Sequence, residues 1–216
     1  MDPLRFAIAA VPLAAYLLLV GLVNMRRRPM LVTGANDLAA LGAAASGLAF
    51  VGPIELFRPA AATEALGDAI WVTLLVLYWL WVSLGVMLAR PRLVVYNATS
   101  DELRPAVAEA VAQLDPTARW AGDSLVMPNL GIRLHLDGFD LMSNTSLVSS
   151  GGKQSLEGWA KLGKAMRRSL RSIETTPNPR SGGFLLAAAL LMFLSVWGLA
   201  GDPQQVAVAL DQLFGF

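Results

Sequence analysis

The sequence predicts a membrane all-α fold of four transmembrane helices, with a small two-layer α+β cytoplasmic domain (β-α-β-meander-α) inserted before the fourth helix. Three observations carry this reading. Apolar stretches cover about residues 6–25, 38–54, 69–88 and 183–200, each near the ~20 residues, or at least the ~17, that take a helix across ~30 Å of hydrocarbon. Residues 90–182 instead alternate strand-like and helix-like patterns. The bases flanking the stretches fall where a four-pass topology requires them. The chain is 55% hydrophobic and only 15% charged, against ~25% charged in soluble domains, and the deficit lies in the four stretches.

The first stretch has one acid and one base ahead of it, and Arg26, Arg27 and Arg28 where a signal peptide would have its cleavage site. It reads as a retained helix with its amino end outside. Lys and Arg near span ends stay cytoplasmic, so these arginines place the first loop inside. The loop 52–68 holds Arg58 alone against Glu55, Glu64 and Asp68, as an exterior loop should. Arg90 and Arg92 on one side, and Arg167, Arg168, Arg171 and Arg180 on the other, make both flanks of the 90–182 insert basic and therefore cytoplasmic. The tail has Asp202 and Asp211 and no base, which fits the exterior. The expected localisation is a multi-pass bacterial inner membrane, with both termini outside. Residues 1–89 hold three helices and 183–216 the fourth, followed by a tail whose residues 206–214 carry a short amphipathic stripe.

The second stretch is short and rich in Ala and Gly. Gly42 with Ser46, and Ala43 with Gly47, repeat at the four-residue spacing that lets helices approach closely in lipid, so helix packing is expected there. Asn36 and Asp37 at its start are placed to cap free backbone N–H groups. In the third stretch, Trp71 fits an interfacial belt. Tyr78, Trp79 and Trp81 lie too deep for one and are expected to pack against another helix or a partner subunit.

Within the insert, Arg92–Tyr96 reads as a strand, and Thr99 with Glu102 forms a capping-box pair ahead of Leu103, Val107, Val111 and Leu114 at helical spacing. Strand-like pieces follow at 118–120, 124–127, 132–137 and 146–149, separated by turn formers such as Pro128-Asn129 and Gly151-Gly152. A second helix carries Trp159, Leu162, Met166, Leu170 and Ile173 on one face. Lys161, Lys164, Arg167, Arg168 and Arg171 occupy the other face, the surface expected to contact membrane lipids or a protein partner.

Catalytic, cofactor and metal sites are not expected. Cys is absent, and His135 is the only histidine, flanked by Arg133 and Asp137 on an exposed strand face without an identifiable nucleophile. Asp137 and Asp140 have no ligand spacing, and Gly151-Gly152-Lys153 lacks the rest of a phosphate loop. The basic helix has no aromatic platform, so nucleic acid is not an expected partner. No ionisable residue lies in the core of any stretch, against the usual marker of an ion pathway. The sequence therefore points to a non-enzymatic interaction or scaffold subunit of a membrane complex, with a protein partner or a homo-oligomer. The alternatives are a subunit of an oligomeric channel or transporter, and a small membrane enzyme using His135.

Overall fold

A computed structural model describes residues 2–54, 67, 69–139, 143–201 and 203–214. Glu55, Arg58, Glu64, Asp68 and Asp202, used in the charge reading, and Asp140, weighed as a metal ligand, lie outside these. In chain order the elements are α1 (Pro3–Asn24), β1 (Met30–Thr33), α2 (Gly34–Ala49) continuing into a π turn at Phe50–Ile54, and α3 (Ala69–Leu88). Then come β2 (Arg92–Tyr96), α4 (Ser100–Leu114), β3 (Arg119–Ala121), β4 (Ser124–Met127), β5 (Ile132–Phe139), β6 (Asn144–Ser149), α5 (Leu156–Ser169), α6 (Ser181–Gly201) and α7 (Pro203–Phe214). These elements divide into two units, residues 1–20, 38–87 and 183–216 in one, and 21–37 and 88–182 in the other. The boundary expected at residue 90 therefore misses a segment: 21–37 belongs with the α+β unit.

The first unit is inverted relative to a soluble core. Pro3–Asn24, Gly34–Gly52, Ile70–Leu88 and Ser181–Gly201 are each long and apolar enough to cross a membrane. Many of their large side chains face outward, Leu19, Val72, Leu80, Leu186 and Trp197 among them, while the buried ones are mostly small, such as Ala7, Ala10, Ala14, Ala44 and Ala188. Ala7, Ala10 and Ala14 recur three and four apart, so they form one stripe along α1. Without a hydrophobic force between helices in lipid, small residues permit the close approach on which van der Waals packing depends. The second stretch reaches 19 residues because its helix starts at Gly34, four residues before the apolar run, where Thr33 Oγ1 accepts the Asn36 N–H at 3.3 Å. Trp71 is buried beside Ile70, its ring 4.9 Å from that of Phe50.

The second unit is a six-stranded, wholly antiparallel sheet in the order β1-β2-β6-β5-β4-β3, with α4 and α5 on one face. Alternation sets the faces: Ile132, Leu134 and Leu136 are buried while Arg133, His135 and Asp137 are exposed. The inward residues Leu93, Val95, Leu125, Met127 and Leu147 meet Leu103, Val107 and Val111 of α4 and Trp159, Leu162 and Met166 of α5. Each such fully buried side chain contributes about 1.5–3 kcal/mol. The Thr99–Glu102 capping box starts α4, with both reciprocal bonds present. Pro105, sixth in α4, is tolerated without a break. The meander strands lie at or within two residues of their expected limits; β5 and β6 extend furthest beyond them.

The element the pattern did not announce is β1. It pairs antiparallel with β2, Leu31 opposite Val95 and Thr33 opposite Leu93, and covers the edge that β2 would otherwise expose. Gly34 follows it because a Cβ there would overlap the Arg92 side chain.

Candidate functional site

The candidate site is built on α5 and the segment that precedes β1. Ser155 caps α5, its Oγ accepting the Gly158 N–H at 3.0 Å. At 100° per residue, Trp159, Leu162 and Met166 fall on the face toward the sheet, and Lys161, Lys164 and Arg168 on the opposite one, while Arg171 lies past the helix in a 3-10 turn, Leu170–Ser172. Lys161 is spoken for: its Nζ lies 2.8 Å from Glu157 Oε1 one turn earlier. Hydrogen bonding and charge from that ammonium hold the Glu157 carboxyl below its ordinary range. Lys164 and Arg168 are exposed on the helix.

Arg167 and Arg171 do something different. With Leu170 they form one wall of a cleft of about 610 Å³ whose other wall is Arg26, Arg27, Arg28, Pro29, Met30 and Leu31. Two basic clusters some 140 residues apart in sequence thus meet in one site. Four of its nine lining residues are apolar and the other five are arginines, with no carboxylate among them. None of the five arginines has an ion pair among the described residues.

A buried polar clamp fixes the arginine wall. Asn97, just past β2, donates from Nδ2 to the Arg26 carbonyl at 2.6 Å and to Thr175 Oγ1 at 3.0 Å. The Thr175 N–H bonds the Arg27 carbonyl at 2.9 Å, and the Asn178 N–H bonds the Asn24 carbonyl at 3.0 Å. Asn97 holds φ at +59°, a left-handed conformation that Asn enters more readily than other residues with a Cβ. The same knot contains buried amide atoms without a partner among the described residues: both of Asn24, Oδ1 of Asn97 and Nδ2 of Asn178. Such groups are expensive and mark the knot as polar by construction.

The remaining expected positions sort as follows. Asp37 is not a helix cap: it accepts from Arg92 Nη2 at 2.7 Å and from the Tyr96 hydroxyl, tying the start of α2 to β2. Gly42 packs on Val82, where a Cβ would stand 2.7 Å from Cγ1, and Gly47 packs on the Ile8 backbone of α1. Both close approaches are thus within this chain. Ser46 bonds its own helix at the Ala43 carbonyl, 2.8 Å away. Tyr78 donates to the Gly42 carbonyl at 2.6 Å and meets Trp79 edge-on, whereas Trp81 is 73% exposed. His135 is exposed on β5 with Nδ1 3.3 Å from Ser124 Oγ, and no group of three His, Cys, Asp or Glu among the described residues is placed to hold a metal.

Asp115 is a structural anchor outside the cleft. Burial favours its protonated form, but bonds from the Thr117 hydroxyl and from the backbone N–H groups of Asn129, Thr117 and Leu130 outweigh this and hold its carboxyl below the ordinary value. Sequence reasoning singled out Arg167 and Arg171 for lipid or partner contact, read Arg26–Arg28 as topology alone, and gave Asn97, Thr175 and Asn178 no part in a site. The signal available for the former was the short apolar run Met30-Leu31-Val32 after Pro29, a strand that would bring the arginines to the sheet. No protein-family model, curated protein or solved structure matches this chain.

Proposed function

We propose that this is an integral multi-pass membrane protein that serves as an interaction subunit of a membrane complex. In this reading four helices cross the bilayer with both termini outside, and residues 21–37 and 88–182 form the cytoplasmic face. The observation that carries it is the one-sided basic surface of α5, where Lys164 and Arg168 stand exposed without an acidic partner among the described residues. Exposed and without an ion pair among the described residues, such charges steer and orient an acidic partner rather than stabilise the domain. The outward-facing Leu, Val and Trp side chains of the apolar helices support the membrane part, because a water-soluble chain rarely exposes apolar area on this scale.

Two measurements test the reading. The protein should stay with the membrane pellet in alkaline carbonate, and release into the soluble fraction would defeat the membrane assignment. Purified in mild detergent or native nanodiscs, it should bring down a stoichiometric protein partner that a Lys164→Glu, Arg168→Glu double variant loses. A bare homo-oligomer that never carries a partner would refute the subunit role.

A further inference from the structure

We infer that the cleft between the Arg26–Leu31 segment and Arg167–Arg171 binds the phosphate headgroup of an anionic phospholipid. The inference rests on the membrane reading above and adds to it a defined ligand site, separate from the protein-facing side of α5.

The chemistry of the lining selects the ligand. Five arginines line one cleft with no carboxylate among its lining residues, in a chain whose net charge is only +1. Arginine presents a planar fork of N–H donors that matches a phosphate's oxygens two at a time, and its weakly hydrated charge gives up water more readily than an ammonium. The ligand is therefore an oxyanion carrying a full charge. Pro29, Met30, Leu31 and Leu170 supply apolar surface beside the arginines. That surface has no use for inorganic phosphate, but it suits the glycerol and first methylenes of a lipid. A volume of about 610 Å³ accommodates a headgroup with its glycerol, within the ~300–1,000 Å³ usual for small-molecule sites.

Position in the chain narrows the source. Arg26 comes two residues after the last residue of α1, so the arginine wall is covalently held next to an apolar helix end, where headgroup phosphates would lie. The wall is also preformed. Asn97 and Thr175 bind the carbonyls of Arg26 and Arg27, and β1 fixes Met30 and Leu31 to the sheet, so little ordering remains when a headgroup enters. The backbone is held while the guanidinium groups stay exposed, the arrangement a binding site needs and a purely topological signal does not.

The experiment titrates the full-length protein, purified in mild detergent, with water-soluble short-chain phosphatidylglycerol, short-chain phosphatidylcholine or inorganic phosphate, read by native mass spectrometry and thermal shift. Arg27→Gln with Arg171→Gln alters the cleft. Lys164→Gln with Arg168→Gln removes the same charge from the same unit outside it. The expected result is preferential binding of phosphatidylglycerol, weakened about thirty-fold by the cleft pair and little by the outer pair, two juxtamembrane bases being worth about that factor. Equal loss in both pairs would show diffuse charge attraction and overturn the inference. Competition by inorganic phosphate at concentrations matching the lipid would make this a free-phosphate site and overturn the lipid assignment. Displacement by a poly-glutamate peptide with no lipid preference would assign the cleft to an acidic protein instead. Carbonate resistance together with any of these three outcomes would sink the lipid site while leaving the membrane reading intact.

Discussion

Replacing Asn97 tests the clamp behind the arginine wall, and three terms set the size of the effect. Asn97→Ala removes the bonds to the Arg26 carbonyl and to Thr175 Oγ1, about 1 kcal/mol each. Alanine must then hold φ near +59°, which costs a residue with a Cβ about 1–2 kcal/mol. Against these, deleting the side chain removes the buried Oδ1 that has no partner among the described residues, returning about 1 kcal/mol. The net is about 2–3 kcal/mol for alanine and about 1 kcal/mol for glycine, which enters the left-handed region freely. Hydrogen exchange by mass spectrometry on the full chain in nanodiscs reads this locally, in peptides covering β2 and β6. At 1.4 kcal/mol per tenfold, protection should fall about thirty- to a hundred-fold in Asn97→Ala and about five-fold in Asn97→Gly. Equal losses in the two variants would refute the conformational part of the reasoning. Unchanged protection in both would refute the clamp.

The close approaches on α2 separate by what stands in the way. Gly47→Ala meets the Ile8 backbone, which cannot rotate aside, whereas Gly42→Ala meets a Val82 methyl, so Gly47→Ala should lower the thermal midpoint in detergent by clearly more; the reverse order would refute the packing assigned here. Asp115 gives a pH dependence whose sign follows from its lowered carboxyl. The stabilisation is present above the unfolded value of ~3.9 and is lost as pH falls through the folded value. Thermal unfolding of wild type and Asp115→Asn should therefore show a constant gap at neutral pH that narrows below about pH 4, and a gap that widens on acidification would contradict it.

Most of the fold was legible because its elements carry local signatures. The apolar runs, the Thr99–Glu102 box and the Ile132 to Asp137 alternation each act over a few residues, and each lies where expected. What escaped depends on pairing at long range. Met30–Thr33 is only four residues and has no turn partner nearby; it becomes a strand because β2, more than sixty residues later, offers an edge. Asp37 looked like a cap because its position at the start of a helix is a cap's position, and only the arrival of Arg92 and Tyr96 gives it another role. Gly42 and Gly47 each stand against a neighbour, but spacing alone does not tell a neighbour in the same chain from a second copy. Here Val82 and Ile8 occupy those faces, so the stripe no longer argues for association between copies.

The arginines of the first loop show a more general ambiguity. Counting bases orients a membrane chain because Lys and Arg resist transfer, and any cluster beside a span end serves that count equally well. A site for anionic headgroups needs bases in the same places, since the headgroups lie there too. Composition cannot separate the two roles; backbone constraint can. A topological signal works from a flexible loop, whereas the Arg26 and Arg27 carbonyls are bonded by Asn97 and Thr175, at opposite ends of residues 88–182, and a paired strand begins at Met30. Asn24, Asn97 and Asn178 accept the cost of unmatched buried amides to maintain this arrangement. If orientation were the only task, loosening the clamp would leave every property of the membrane-embedded protein unchanged except stability. If the cleft is a headgroup site, Asn97→Gly must also weaken lipid binding, although the substitution touches none of the five guanidinium groups.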